Sequence, residues 1–238
     1  MGFRLEKDMT NLITKDLESF VNVISNEKRE FIYSCEYPVY YRIIDMCMAS
    51  YCEDYNSFSE CRDYEKAINR LSSRCFGILA LISTYKKVSI NRICNELFLA
   101  KEEAINSLNV LCKYGLIKKV SNYSYTIGEW SVLIPSDLYA IEMKLSKWQE
   151  ALEQGIFNLK FADYSYVIMD KERINSENIV EEYRKNNVGL IYLGEDSSLK
   201  VIYKPKKNRK INMYSSNYYK IKILKDFIIN QDKWKKTS

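Results

Sequence analysis

Residues 140–170 read AIEMKLSKWQEALEQGIFNLKFADYSYVIMD, and this stretch decides the fold class. Residues 138–145 (LYAIEMKL) predict a strand. Residues 147–161 predict a helix with Trp148, Ala151, Leu152, Gly155, Ile156 and Leu159 along one side. Residues 164–169 (YSYVIM) predict a second strand. Strand, helix, strand is the signature of an α/β unit. Glu142 and Lys144 stand two apart, so they share one face of their strand, while Ile141, Met143 and Leu145 take the other. An acid and an amine side by side on an otherwise apolar strand can hold a divalent metal and place a water nucleophile.

Downstream, 176–186 predicts a helix, 189–193 and 199–203 predict strands turned around GEDSS, and 218–229 predicts a helix. Upstream, 10–25 predicts an amphipathic helix with Leu12, Leu17, Phe20, Val21 and Ile24 in one stripe. Residues 31–35 and 40–49 predict two strands around Pro38, and the polar stretch 50–60 predicts a loop. A helical block follows: 64–85, a short helix after Ser89, and 101–114. Gly115 suits the left-handed position that ends such a helix. Residues 116–120, the turn SNYS and 125–127 predict a small hairpin.

The 238 residues contain no histidine. Ser-His-Asp and Cys-His hydrolases, HExxH proteases and His-ligated zinc sites are thereby excluded. Acid–base chemistry must rest on carboxylates, lysines, tyrosines or activated water. Seven cysteines occur without a C-x-x-C pair, which predicts reduced, mostly buried thiols in a cytoplasmic protein. The longest apolar run, 75–82, is far short of the ~20 residues a membrane span needs, so no membrane partner is expected. The net charge is +5, but residues 200–238 alone carry +10 and the remainder −5. A basic segment on an acidic body predicts a polyanion contact, centred on KPKKNRK at 204–210.

The helix, helix, helix, hairpin order over residues 64–130, with LNVLCKYGLIKKV followed by SYTI, resembles a winged helix-turn-helix domain. That resemblance implies DNA binding, with Lys101, Asn106, Asn109 and Lys113 on the third helix and Lys118 and Lys119 on the wing. Lys204, Lys206, Lys207, Arg209 and Lys210 are the further candidates for phosphate contact.

The E-x-K strand, the helix behind it with Ala-Leu-x-Gln, and FAD-x-x-YV on the next strand resemble the PD-(D/E)xK nuclease superfamily, in its restriction-endonuclease-like branch. The resemblance covers residues 142–203. It implies an αβββαβ core, Mg²⁺ or Mn²⁺ as cofactor, DNA phosphodiester hydrolysis, and a homodimer where two strands are cut. CEYPVYYRIIDMCMAS at 35–50 resembles the family's hairpin ending in an Asp, which assigns Asp45 with Glu142 as metal ligands. The other candidate, Asp137, lies five residues before Glu142, about 16 Å away on a straight strand and too far to share one ion. Lys144 then serves the attacking water. Glu18 matches the family's optional helix glutamate, and Gln154 the glutamine that supports the site.

Because 97 positions separate Asp45 from Glu142, the winged helix is expected to be inserted in the nuclease core. The expected parts are 1–60, 61–131 and 132–238. The function implied is a divalent-metal-dependent DNA endonuclease of restriction, repair or resolvase type. The alternative is a non-catalytic winged-helix DNA-binding or regulatory protein on a degenerate nuclease-like scaffold.

Overall fold

The computed structural model describes residues 2–25, 30–51, 62–174 and 179–234. Most of the polar loop expected at 50–60 lies outside these residues, as do 176–178 and 235–238. The fold is mixed α and β, and the chain divides into two compact units. The first comprises Met1–Cys52 and Asp137–Ile211, the second Glu53–Ser136 and Asn212–Ser238.

The first unit begins with helices α1 (Glu6–Lys15) and α2 (Leu17–Ile24), where the sequence predicted one helix over 10–25. The break is at Asp16, whose side chain accepts the Ser19 N–H at 3.2 Å and so caps α2. Strands β1 (Glu30–Val39) and β2 (Arg42–Tyr51) form an antiparallel hairpin. Pro38 is tolerated because β1 is the sheet's edge. The chain leaves this unit after β2 and returns at β6 (Asp137–Lys144), which pairs antiparallel with β2. Ser50 and Asp137, at the exit and the return, are register partners, so a long excursion between them leaves the sheet intact.

After β6 come α7 (Trp148–Asn158), β7 (Tyr164–Asp170), α8 (Ile179–Lys185), β8 (Gly189–Leu193) and β9 (Leu199–Tyr203). The sheet order is β1-β2-β6-β7-β8-β9, with β6, β7 and β8 parallel and the flanking pairs antiparallel. One face packs Met9, Ile13 and Phe20 of α1 and α2 against Ile141, Met143 and Ile168. The other packs Ala151 and Leu152 of α7 and Tyr183 of α8 against Val167, Met169 and Leu190. β7 is buried on both faces, which is why YSYVIM reads as an apolar run rather than an alternation. Each fully buried side chain of this kind contributes about 1.5–3 kcal/mol. Gly155 lets α7 lie close to the sheet: a Cβ there would meet Val188 Cγ1 at 2.6 Å.

In the second unit, α3 (Arg62–Asn69) and α4 (Ser73–Tyr85) replace the single helix expected at 64–85. Ser72 makes the break, accepting the Cys75 N–H at 3.4 Å. Then follow β3 (Lys87–Ser89), α5 (Ile90–Leu97), α6 (Lys101–Lys113), β4 (Ile117–Ser121) and β5 (Ser124–Ile127). The strands form a three-stranded sheet, β3-β5-β4. Gly115 has φ +67°, the left-handed conformation expected after α6. The last helix, α9 (Met213–Trp234), packs on α4 and α3. The segment expected as one part, 132–238, is therefore divided between the units near Ile211, and the entry into the first unit lies at Asp137.

Candidate active site

The β2–β6 ladder runs from Ser50↔Asp137 to Met46↔Ile141. One step further, the same register sets Asp45 opposite Glu142. There the strands part, and a side chain takes over from the ladder: Asp45 Oδ2 accepts the Met143 N–H at 2.7 Å. The Asp45 charge is felt at the Glu142 carboxyl. Glu142 Oε1 accepts from Asn158 Nδ2 at 2.8 Å, at the end of α7. Lys144 Nζ donates to Glu6 Oε2 at 2.9 Å, in the first turn of α1. Two strands and two helices thus converge on one cluster.

Electrostatics there is dominated by burial. Glu142 is 3% exposed. Burial, reinforced by the Asp45 charge, pushes its carboxyl up to about 7, against the pull of the Asn158 hydrogen bond. Burial raises Asp45 as well, opposed by the Met143 N–H and by Lys144. Burial alone would lower Lys144, but the Glu6 carboxylate more than offsets it and its pKa ends raised. Lys144 therefore stays a cation at neutral pH.

Three polar atoms around Glu142 have no hydrogen-bond partner among the described residues: Arg42 Nη1, Gln154 Oε1 and Asn158 Oδ1, all buried. The Arg42 charge is felt at Glu142, and its guanidinium lies 4.5 Å from the Phe157 ring centroid. Gln154 precedes Asn158 by one helical turn, on the same line of α7. The turn before Arg42 is also unusual. Tyr40 has φ +51°, a conformation costly for a bulky residue, and Tyr41 is 80% exposed beside Phe157. A pocket of about 300 Å³ lined by Glu6, Thr10, Thr14, Cys35, Glu36 and Asp45 opens onto the cluster.

Of the residues singled out from sequence, the structure brings Asp45, Glu142 and Lys144 together. Gln154 is on the helix that supplies Asn158. Glu18 is exposed on α2, and the helix glutamate that reaches the cluster is Glu6. Sequence reasoning missed Glu6 because it started the first helix at Thr10. Phe3, Met9 and Ile13, all buried, would have extended the helical pattern back. It also missed Asn158, which its i,i+4 spacing from Gln154 marks.

Among the described residues no group of three or more Cys, Asp or Glu is arranged to hold a metal ion. Two adjoining carboxylates nonetheless fit the chemistry of a hard divalent cation. Mg²⁺ is commonly held by one or two carboxylates, with water and substrate phosphates completing its shell. A cation would also offset the burial that raises both groups.

The basic candidates fall in two places. Lys101, Asn106, Asn109 and Lys113 are exposed on α6, whose first turn also carries Glu102 and Glu103. On β4, Lys119 is exposed and Lys118 pairs with Glu129 at 2.7 Å. In the first unit, Lys206, Arg209 and Lys210 are exposed and Lys204 is half-buried. Lys207 is held by Asp137 and Asp163, which is where the second aspartate candidate, Asp137, is engaged.

No known family, curated protein or solved structure matches the chain. No helix among the described residues is long and apolar enough to cross a membrane.

Proposed function

We propose that the protein is a divalent-metal-dependent DNA endonuclease, with a PD-(D/E)xK core and an inserted winged-helix DNA-binding module. The observation that carries this reading is the meeting of Asp45, Glu142 and Lys144 where β2 and β6 part, in a chain order of helix, three antiparallel strands, helix, parallel strand. The order α4, β3, α5, α6, β4, β5 supports the winged-helix assignment.

Asp45 and Glu142 would hold Mg²⁺ or Mn²⁺. The bound ion supplies Lewis-acid activation of the phosphodiester and neutralises charge as it develops. Lys144, cationic and fixed by Glu6, orients the attacking water and steadies the phosphorane; a protonated amine cannot act as base. Asn158 fixes the Glu142 carboxylate by donating to Oε1. The winged-helix module and the 204–210 stretch place the DNA.

The test is nicking of supercoiled DNA with Mg²⁺ or Mn²⁺. Glu142→Ala or Lys144→Ala should abolish cleavage while DNA binding survives. Wild type that nicks no DNA form sinks the enzyme reading. One observation favours the non-catalytic alternative: the described carboxylates form no three-residue metal group. Under that alternative the same variants leave every property of DNA binding unchanged and no cleavage is seen.

A further inference from the structure

The basic stretch 204–210 is anchored as a wall rather than left as a solvated loop. Asn187, with φ +55°, accepts the Lys206 N–H at 2.8 Å and donates to the Lys206 carbonyl at 2.8 Å. Asn208 donates its N–H to the Asp163 carbonyl at 2.8 Å, and its side chain donates to the Leu159 carbonyl at 2.5 Å. Lys207 turns inward to buried Asp137 and Asp163. With Lys207 so engaged, Lys206, Arg209 and Lys210 remain exposed and have no carboxylate partner among the described residues.

This wall bounds an open groove of about 1110 Å³ at the end of β6 and β7 opposite the carboxylate cluster. The lining also includes half-buried Tyr164, whose ring stacks on that of buried Tyr139 with centroids 4.7 Å apart and planes 16° from parallel. Lys204 lines the groove too, its pKa lowered by burial. A groove of this size has room for a segment of polymer. Cations beside a reachable aromatic ring are the means by which proteins take single strands, since a duplex hides its base faces.

We propose that this groove binds a single strand of nucleic acid, its phosphates on Lys206, Arg209 and Lys210 and a base against Tyr164. The proposal rests on reading the protein as one that acts on DNA, and it names the substrate class: duplex DNA carrying a single-stranded arm. Tyr139 precedes Glu142 and Lys144 by three to five residues on β6, about 10–17 Å at ~3.3 Å per residue. The gripped arm would therefore enter at the other end of the strand that carries the cluster.

The test is fluorescence anisotropy, without metal, on three labelled probes: a thymidine oligomer, a blunt duplex, and that duplex with a thymidine arm. Wild type should bind the armed duplex at least about fivefold tighter than the blunt one. The triple variant K206A/R209A/K210A changes exposed side chains only. It should lose that preference, weaken armed-duplex binding about tenfold or more, and flatten the log–log salt slope by about 2, at ~0.7 per phosphate released on a single strand. K118A/K119A should weaken both duplexes alike. An armed duplex bound no better than a blunt one, or a preference surviving in the triple variant, overturns the proposal. So does thymidine triphosphate that competes as well as the oligomer. Cleavage without arm preference would refute the groove alone, and arm preference without cleavage would refute the nuclease alone.

Discussion

Replacing Glu142 by Gln is expected to stabilise the metal-free protein and, if the protein is the proposed nuclease, to remove cleavage. Glu142 is 3% exposed and its carboxyl is pushed up to about 7 from an ordinary 4.5. At ~1.36 kcal/mol per pKa unit, holding it ionised in the folded protein costs on the order of 3 kcal/mol. A carboxyl raised on folding binds its proton more tightly in the folded state. Its contribution is thus fully present below about 4.5, falls as the pH rises toward about 7, and is level above that. Glutamine is neutral throughout. Its amide oxygen can still accept from Asn158, and its amide nitrogen can donate to Asp45. In urea unfolding with EDTA, E142Q should match wild type near pH 4.5 and exceed it by up to ~3 kcal/mol near pH 8. For a chain of this length that corresponds to roughly 6–12 °C in Tm. Mg²⁺ should stabilise wild type above neutral pH and leave E142Q unmoved. An E142Q protein that is less stable at pH 8, or that gains equally at both pH values, would refute the reasoning.

Two further outcomes follow from the same cluster. Glu6→Gln should lower the Lys144 pKa and reduce kcat about tenfold or more, whereas Glu18→Gln should leave the cleavage rate within about twofold of wild type; equal effects in nicking assays would remove Glu6 from the site. Gly155→Ala should press α7 away from Val188 and shift Asn158 from Glu142, costing about 1–3 kcal/mol in urea titrations and moving the acid limb of the pH–rate profile upward. An unshifted limb would show that Asn158 does not set the Glu142 pKa.

The strands β8 and β9 were legible to the residue, because Gly189 and the GEDSS turn bound two short apolar runs. Glu142 and Lys144 were legible because charges on an apolar strand are visible at a spacing of two. Asp45 was legible only through its hairpin. That it faces Glu142 depends on a register between strands 97 positions apart, which no local pattern encodes. The break at Asp16 went unread because Leu12, Leu17, Phe20, Val21 and Ile24 fit one continuous stripe as well as two short helices. Asp16 itself was the available sign, since Asp is a favoured N-cap. The basic segment 200–238 read as a single +10 feature, yet it is divided. Residues 204–210 belong to the first unit. Lys220 and Lys225 of α9 belong to the second, where they donate to the Ser136 and Leu71 carbonyls. Charge composition cannot distinguish a cation that satisfies a backbone carbonyl from one that faces a phosphate.

The features the fold does not need are concentrated around one carboxylate. On the Glu142 face of β6, Leu138 and Ala140 are buried and apolar, and an apolar residue at 142 would continue that packing. Instead the position holds a buried acid against a second acid. Asn158, which holds Glu142, and Gln154 one turn before it each bury a carbonyl oxygen without a partner among the described residues, and Arg42 leaves a buried Nη1 unpaired. Each such group costs about 1–3 kcal/mol when left unsatisfied. The adjoining hairpin bends through a left-handed tyrosine where Asn or Gly would serve at less strain. Elsewhere in the first unit Asp16 caps α2, apolar faces meet, and the buried Asp137 and Asp163 are matched by Lys207, though Ser165 Oγ is also buried without a partner. Two carboxylates, a fixed lysine and unpaired polar atoms gathered in one region are what the proposed reading, a site for a charged ligand, would require of the fold. On the proposed reading, a divalent ion would answer the two adjoining acids while Lys144, held by Glu6, faces the phosphodiester.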